Sequence, residues 1–178
     1  IYILMGKSAS GKDTIYRRLL ADESLHLAPY VGYTTRPVRE GEKEGAEYHF
    51  TDIEQMKEYE AAGTLIEKRV YHTVYGDWYY YSVDAGEADS DQDLLYIGTL
   101  ESYSALKDYY GEETVIPLYI EVEDGLRLTR AIEREKQQEV PGYAEMCRRF
   151  LADCEDFSEE KLKAAGINVR YDNTSIEE

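Results

Sequence analysis

The residues most suited to chemistry form one run near the start of the chain, Gly6-Lys7-Ser8-Ala9-Ser10-Gly11-Lys12-Asp13-Thr14. This run fits the pattern G-x-x-x-x-G-K, except that Asp13 stands where Ser or Thr is usual. Glycines allow backbone N–H groups to turn inward around an anion, and Lys12 adds a mobile positive charge. We therefore predict a loop that wraps the phosphates of a nucleotide. Its predicted contacts are Gly6, Ser8, Ala9, Ser10, Gly11, Lys12, Asp13 and Thr14.

Asp13 and Thr14 are the candidate metal contacts in this run. A carboxylate beside a triphosphate is repelled unless Mg²⁺ lies between them. Asp13 either orients the metal, directly or through water, or turns away while Thr14 supplies the hydroxyl group. We favour Thr14 for the hydroxyl role and keep both residues as predicted metal contacts.

A second group of anion-binding side chains lies in residues 34–50. Arg36 and Arg39 are three residues apart, and Tyr48 follows nine residues later. Guanidinium groups match phosphate geometry, and a phenol hydroxyl adds a neutral donor. Taken alone, solvated arginines of a surface loop account equally well for this spacing. The segment is interpreted as a clamp for a second anion, facing the first loop.

Alternating strand and helix patterns position these groups. Residues 1–5 are an apolar run typical of a buried strand, and similar runs lie at 94–98, 114–122 and 167–171. Helices are predicted near 100–110, 124–135 and 143–165, and Thr51 with Glu54 predicts a capping box for another. Because strands and helices alternate, we expect an α/β fold, a three-layer P-loop NTPase core with a parallel sheet.

The chain is predicted to form one domain over residues 1–178. Its core covers 1–31 and 84–178. Residues 32–83 are a strand-rich insertion with strands at 65–71 and 78–83. This insertion is predicted to bind the acceptor, the substrate that carries the second anion. A charged, helical lid covers about 127–150. The two cysteines, seven residues apart in a predicted helix, are too far apart for a disulfide, which favours a reducing compartment.

Composition excludes several other classes of protein. The net charge of −17 disfavours nucleic acid as a partner. No run of about 18 apolar residues is present, so no membrane span is predicted. The first residues lack the features of a signal peptide, and we expect a cytoplasmic protein.

The combined motifs resemble the guanylate kinase family. The segment Thr34-Thr35-Arg36-Pro37-Val38-Arg39-Glu40-Gly41-Glu42, followed by Gly45 and by Tyr48-His49-Phe50, carries the resemblance, which extends over nearly the whole chain. It implies that Arg36, Arg39 and Tyr48 hold the phosphate of GMP. It also implies that Glu67 reads guanine, since a carboxylate accepts from the N1–H and 2-amino edge that adenine does not offer.

The base site departs from the family pattern in two places. A tyrosine followed two residues later by Ser or Thr is expected, and either Tyr75-Gly76-Asp77 or Tyr80-Tyr81-Ser82 supplies part of it. We prefer Tyr80 and Ser82, which implies a longer hairpin. The family usually has an acidic Asp-x-Asp-like element where this chain has Gly98-Thr99-Leu100-Glu101. Its acidic group is absent or is shifted to Glu101.

The lid resemblance implies three arginines that close over the reacting phosphoryl group. Arg130 and Arg134 lie one helical turn apart, and Arg149 matches the family better than Arg148. Surface ion pairs with Glu133 and Glu135 are the alternative. Asn173 lies where the family contacts the adenine of ATP. The implied catalytic residues are Lys12, Arg39, Arg130, Arg134 and Arg149.

The implied reaction is transfer of the γ-phosphoryl group of ATP to a nucleoside monophosphate, with GMP as the expected acceptor and Mg²⁺ as the cofactor. The partners are then ATP and GMP, with no nucleic acid and no membrane, in a monomer or homodimer. Three alternatives stay open. They are a kinase for another phosphorylated acceptor such as a ribose bisphosphate, a non-catalytic guanylate-kinase-like binding module, and a regulatory NTPase.

Overall fold

A computed structural model describes residues 1–39, 41–73, 76–86 and 91–175 of the chain. These residues contain nine strands and six α-helices. The strands are β1 (Tyr2–Met5), β2 (Leu27–Pro29), β3 (Tyr33–Thr34), β4 (His49–Phe50), β5 (Leu65–Thr73), β6 (Gly76–Val83), β7 (Asp93–Ile97), β8 (Ile116–Glu121) and β9 (Arg170–Asp172). The helices are α1 (Lys12–Ala21), α2 (Ile53–Ala62), α3 (Leu100–Tyr110), α4 (Asp124–Lys136), α5 (Tyr143–Asp156) and α6 (Glu159–Ala164).

The core is a parallel sheet with the strand order β2-β7-β1-β8-β9. Its central strand is apolar on both faces, since Ile3, Leu4 and Met5 are completely buried. Leu4 is level with Ile97 on β7 and with Leu118 on β8. The carboxyl ends of these three strands therefore meet at one edge of the sheet, which is where parallel α/β sheets bind ligands.

Helices cover both faces of this sheet. On one face, Tyr103 and Leu106 of α3 and Leu162 of α6 join Ile3 and Met5 in a buried cluster. On the other face, Ile15 and Leu19 of α1 pack against Leu4 and Leu95. The three-layer α/β prediction is confirmed.

A second sheet, with the order β4-β3-β6-β5, lies within residues 33–83. Its long hairpin pairs β5 with β6, and Glu67 stands opposite Ser82 while Arg69 stands opposite Tyr80. Directly opposed residues of an antiparallel pair share a face, so these four side chains point to the same side of the hairpin. Each strand extends two residues further toward the turn than the predicted strands 65–71 and 78–83.

The predicted helix over 143–165 is wrong in one respect, because the structure divides it into α5 and α6. The helix stops at Phe157, which is 6% exposed and packs against Tyr119 at a ring distance of 5.7 Å. Ser158 then starts the next helix by accepting a hydrogen bond from the Lys161 N–H. Burying the Phe157 ring and capping a new helix replace one continuous helix here.

The predicted Thr51 capping box is also wrong. Asp52 caps α2 instead, because its carboxylate accepts from the Gln55 N–H at 2.8 Å. The Thr51 hydroxyl is drawn to the second sheet, where it bonds to the Tyr81 hydroxyl and donates to the Thr34 carbonyl.

The cysteines and the length of the helices bear on two further expectations. Cys147 and Cys154 are both free thiols. Within 1–39, 41–73, 76–86 and 91–175, no helix combines the length and the apolar character needed to cross a membrane.

Candidate active site

The loop between β1 and α1 has the geometry of a phosphate cradle. A Cβ atom at Gly6 would come within 2.7 Å of the Ile120 carbonyl oxygen, so only glycine fits there. Gly11 has a φ of 87° and Ala9 a φ of 62°, in the left-handed region that turns successive N–H groups to one side. At Gly11 a Cβ atom would also meet the Asn173 side chain. The helix α1 starts directly after Gly11 and directs its positive end at the loop.

Lys12 begins α1 and is half-buried. Burial lowers the pKa of its ammonium group, the nearby Asp13 and Asp153 act to raise it, and Arg149 and Arg134 lower it further. Three cations thus converge on the loop, which is an arrangement that attracts a polyphosphate. Arg134 and Arg149 are exposed and, together with Ser8, line a cavity of about 100 Å³.

The lid helix α5 contacts the loop directly. Arg149 donates to the Ser8 hydroxyl at 3.3 Å, and the Asp153 carboxylate accepts from the Ser8 N–H at 2.7 Å. Helix α5, part of the predicted lid, therefore touches the backbone of the loop between β1 and α1.

Arg127 is a buried residue to which the sequence analysis assigns no role. Only 1% of its surface is exposed. Its guanidinium group donates to the Ser8 carbonyl at 2.9 Å, pairs with Asp124 at 2.7 Å and with Asp153 at 3.7 Å, and lies over the Phe150 ring. One cation thereby joins the phosphate loop to both lid helices.

Replacing Arg127 with methionine is expected to lower the free energy of unfolding by about 2 kcal/mol, because Asp124 and Asp153 lose their buried partner. Urea unfolding measures this change. Arg148→Met is the matched control, since Arg148 pairs with Glu145 at the same three-residue spacing on the surface and should cost less than about 0.5 kcal/mol. Equal losses in the two variants would show that burial of Arg127 contributes nothing.

Arg36 is the centre of the predicted acceptor clamp and is 3% exposed. Its two terminal nitrogens donate to the two oxygens of Glu42, each at 2.8 Å, and its Nε donates to the Tyr80 hydroxyl at 3.1 Å. The Pro37 carbonyl accepts a fourth hydrogen bond from Arg36. Glu42 thus holds the guanidinium plane in one orientation, and the four hydrogen bonds use four of the five N–H donors of Arg36.

Of the other two predicted clamp residues, Tyr48 lies beside Arg36, whereas the Arg39 side chain is exposed. The Tyr48 ring is 5.6 Å from the Arg36 guanidinium carbon and meets the Tyr80 ring edge-on. Burial raises the pKa of the Tyr48 phenol to about 12, so the hydroxyl stays a neutral donor at physiological pH. The backbone N–H of Arg39 donates to the Glu42 carboxylate at 2.8 Å. The Arg39 side chain is exposed to solvent. Tyr75, the alternative base-site tyrosine, lies outside the described residues.

Glu67 lies in a group of buried polar side chains at the predicted base pocket. Its Oε1 atom accepts from the Ser82 hydroxyl at 3.1 Å and from the Ser102 hydroxyl at 3.3 Å. Ser82 and Ser102 are fully buried, and Glu67 is 9% exposed. This is a buried carboxylate held by two hydroxyl groups, and a carboxylate can accept from a donor on a planar base.

Arg69 is a second cation of this pocket that the sequence prediction lacks. It donates from Nε to the Glu67 carboxylate at 3.3 Å and from Nη1 to the Thr99 hydroxyl at 3.3 Å. The signal was available, because two positions along a strand return to the same face. Thr99 follows the end of β7, so Arg69 also connects the acceptor sheet to the edge of the core sheet where Gly6 lies.

The remaining predicted residues lie at the far side of the loop. Arg130 donates to the carbonyl groups of Asn173 and Thr174, at 3.1 and 3.2 Å, and so holds the segment after β9. The Asn173 side chain donates to the Ser10 carbonyl at 2.8 Å. The structure therefore brings Asn173 to the loop, and Arg130 to Asn173, while Arg134 and Arg149 face Lys12.

Asp13 and Thr14 are exposed on the first turn of α1, next to the cradle. Mg²⁺ usually keeps several waters and is held by one or two protein groups together with substrate phosphates. A carboxylate and a hydroxyl beside a triphosphate site fit an ion of this kind. In residues 1–39, 41–73, 76–86 and 91–175, no group of three or more His, Cys, Asp or Glu is arranged to hold a metal.

A cavity of about 350 Å³ at the end of β8 does not suit a polyphosphate. Lys7 is one of its lining residues, but Glu121, Glu123, Asp124 and Asp172 are others. Four carboxylates repel an anion, so the cradle side of the loop is the better phosphate site.

A family model and several known proteins match this chain. A model of the guanylate kinase family matches residues 1–148. The guanylate kinase of Zymomonas mobilis is 41% identical over 78 residues, which are 43% of this chain and 35% of that protein. That of Porphyromonas gingivalis is 28% identical over 119 residues, 65% of this chain and 61% of that protein. The matched segment thus spans about a third of the first relative's length.

The fold comparison covers more of the chain. The crystal structure of guanylate kinase from Anaplasma phagocytophilum matches with a TM-score of 0.62 and 19% identity, over 99% of this chain and 78% of that chain. This likeness shows a shared fold. Because the family model covers most of the sequence, the chain belongs to the guanylate kinase family.

Proposed function

We propose that this protein transfers the γ-phosphoryl group of ATP to GMP and forms ADP and GDP. The observation that carries the proposal is the position of the two anion sites. The lysine-bearing loop follows β1, the acceptor pocket reaches the end of β7 through the Arg69–Thr99 contact, and these strands are neighbours in the sheet. Two phosphorylated substrates bound at these sites would meet at the same sheet edge.

In the proposed reaction, an oxygen of the GMP phosphate attacks the γ-phosphorus of ATP, and the bond from that phosphorus to the β,γ-bridging oxygen breaks. Catalysis of this transfer rests on positioning and charge stabilisation. Lys12 and the loop N–H groups hold the donor, while Arg36, Arg39 and Tyr48 hold the acceptor phosphate. Glu67 and Ser82 contact the base.

The lid arginines act on the charge that develops during transfer. Arg134 and Arg149 approach the loop from the lid and would lie against the transferring group, where they also exclude water. Arg130 orients the segment that carries Asn173. Mg²⁺ held near Asp13 and Thr14 would supply charge neutralisation to the triphosphate.

A coupled ADP-release assay tests the proposal. The protein is supplied with ATP and Mg²⁺ and with GMP, dGMP, AMP, CMP, UMP or ribose 1,5-bisphosphate in turn. We expect turnover with GMP and dGMP. Turnover with the ribose bisphosphate alone would replace GMP by a sugar phosphate, and ADP release that no acceptor changes would indicate an NTPase.

A further inference from the structure

The Glu67 carboxylate has little hydrogen-bonding capacity left for a ligand. A carboxylate offers about four acceptor positions. In the described residues, Ser82 and Ser102 occupy two positions on Oε1, and Arg69 occupies one on Oε2. About one position is therefore free for a base.

The neighbouring Arg69 has donors to spare. A guanidinium group carries five N–H donors, and the described residues use one for Glu67 and one for Thr99. Its side chain is 17% exposed, against 7% for Glu67, so part of Arg69 is open to solvent. The pocket thus presents a single acceptor position next to several donors.

This pattern is complementary to one edge of a 6-oxopurine. Guanine and hypoxanthine both present an N1–H donor beside the O6 acceptor, and guanine adds a 2-amino group with two further donors. Adenine presents an acceptor at N1 and a donor at the 6-position, so its N1 would face the Glu67 carboxylate. One acceptor position satisfies N1–H and leaves the 2-amino group without a dedicated partner.

We propose that Glu67 and Arg69 together read the N1–H and O6 edge of the acceptor base, so that GMP is preferred over IMP by less than about 30-fold. Arg69 is then a specificity residue that contacts the base. This inference rests on the proposed function, because it names the base chemistry of the same acceptor site.

Glu101 is the competing acceptor for the 2-amino group. Burial lowers the pKa of the Arg69 guanidinium, but Glu67, Tyr96, Tyr71 and Glu101 raise it to above its ordinary value, so the charge of Glu101 reaches this pocket. Glu101 itself is exposed on the first turn of α3. Its role is tested separately.

The first experiment compares kcat/KM for GMP, IMP and AMP on the wild-type protein. A site built to bond the 2-amino group would reject IMP by about 10⁴-fold, whereas a site without that partner distinguishes the two weakly. We expect a GMP preference below about 30-fold and AMP at least about 100-fold below IMP. A larger GMP preference, or AMP used as well as IMP, overturns the inference.

Ser102→Ala tests whether the number of free hydrogen-bond acceptor positions on Glu67 limits binding of the 2-amino group. Removing this hydroxyl frees a position on Glu67 Oε1 for the 2-amino group, so the GMP to IMP ratio should rise about tenfold. Ser104→Ala is the matched control, because the Ser104 hydroxyl lies on the same helix and donates to the Leu100 carbonyl at 3.0 Å. Both substrates are measured on one preparation, so partial unfolding does not alter the ratio. An unchanged ratio in Ser102→Ala contradicts the inference.

Glu101→Gln separates the two candidate acceptors. We expect its GMP to IMP ratio to equal that of the wild-type protein. A strong GMP preference in the wild type that disappears in Glu101→Gln assigns the 2-amino group to Glu101 and overturns the inference. Turnover of GMP with exclusion of IMP refutes only this inference, whereas turnover of no nucleoside monophosphate refutes the proposed function and the inference with it.

Discussion

Replacing Lys12 with methionine is expected to lower kcat by at least about 10³-fold, which is the scale of losing a main electrostatic donor to a transferring phosphoryl group. Lys12 is the cation inside the loop, and its neighbours Arg134 and Arg149 approach from the lid without entering it. The coupled ADP-release assay with GMP measures the loss.

Lys7→Met is the matched control for this prediction. Lys7 lies five residues earlier in the same loop, but its ammonium group pairs with Asp124 at 3.3 Å on the side away from the cradle. We expect its kcat to stay within about threefold of the wild-type value, as for a surface charge. A Lys12→Met protein that retains more than a tenth of wild-type turnover would contradict the role of Lys12.

Protein stability distinguishes loss of catalysis from loss of folding. Because burial lowers the pKa of Lys12, the folded protein holds this charge at a cost at every pH where the unfolded chain is protonated. Removing the charge should therefore leave the thermal midpoint unchanged or raise it. A lower midpoint would show that the attraction of Lys12 to the nearby Asp13 and Asp153 carboxylates outweighs its desolvation.

The phosphate loop could be predicted from sequence because its backbone requirements appear directly as residue types. Gly6 is required by the close approach of the Ile120 carbonyl and Gly11 by its left-handed backbone, and both requirements appear as glycines at a fixed spacing. The parallel core could be predicted for a similar reason. Strands that are buried on both faces are short, continuous apolar runs, as in residues 1–5.

Arg127 and Arg69 could not be predicted in the same way, because their partners are distant in the chain or are shared. Arg127 reaches Ser8, 119 residues away, and Asp153 on the next helix. On the sequence it is one of several basic residues in a charged helix, which is a pattern typical of a solvated surface. For Arg69 the strand period gave the correct face, but its contact with Thr99 depends on how two sheets meet.

The missing acidic element at residues 98–101 changes what Arg69 can bind. Thr99 occupies this segment and accepts a hydrogen bond from Arg69. A carboxylate there and a guanidinium at position 69 would pair with each other. With Thr99 present, Arg69 keeps donors for a ligand, and the pocket has one carboxylate beside one cation instead of two carboxylates.

Replacing Arg36 with methionine is expected to lower kcat/KM for the acceptor by about 10²- to 10³-fold, since truncating one partner of a buried ion pair costs about 3 to 4 kcal/mol. The loss has two parts. The acceptor phosphate loses a donor, and Glu42, whose side chain is 18% exposed, is left unpaired and repels the incoming phosphate. The KM for ATP should change little, because Arg36 belongs to the second sheet.

A double-mutant cycle with Glu42→Gln separates these two parts. Glu42→Gln alone should be harmful, because the Arg36 guanidinium loses the carboxylate that orients it. In the Arg36→Met background the same change removes a repelling charge, so the double variant should recover about tenfold of the kcat/KM lost in Arg36→Met. Such a change of sign requires Glu42 to act through Arg36. If the two losses simply multiply, Glu42 and Arg36 act independently, and the bidentate pair seen at 2.8 Å does not position the acceptor clamp.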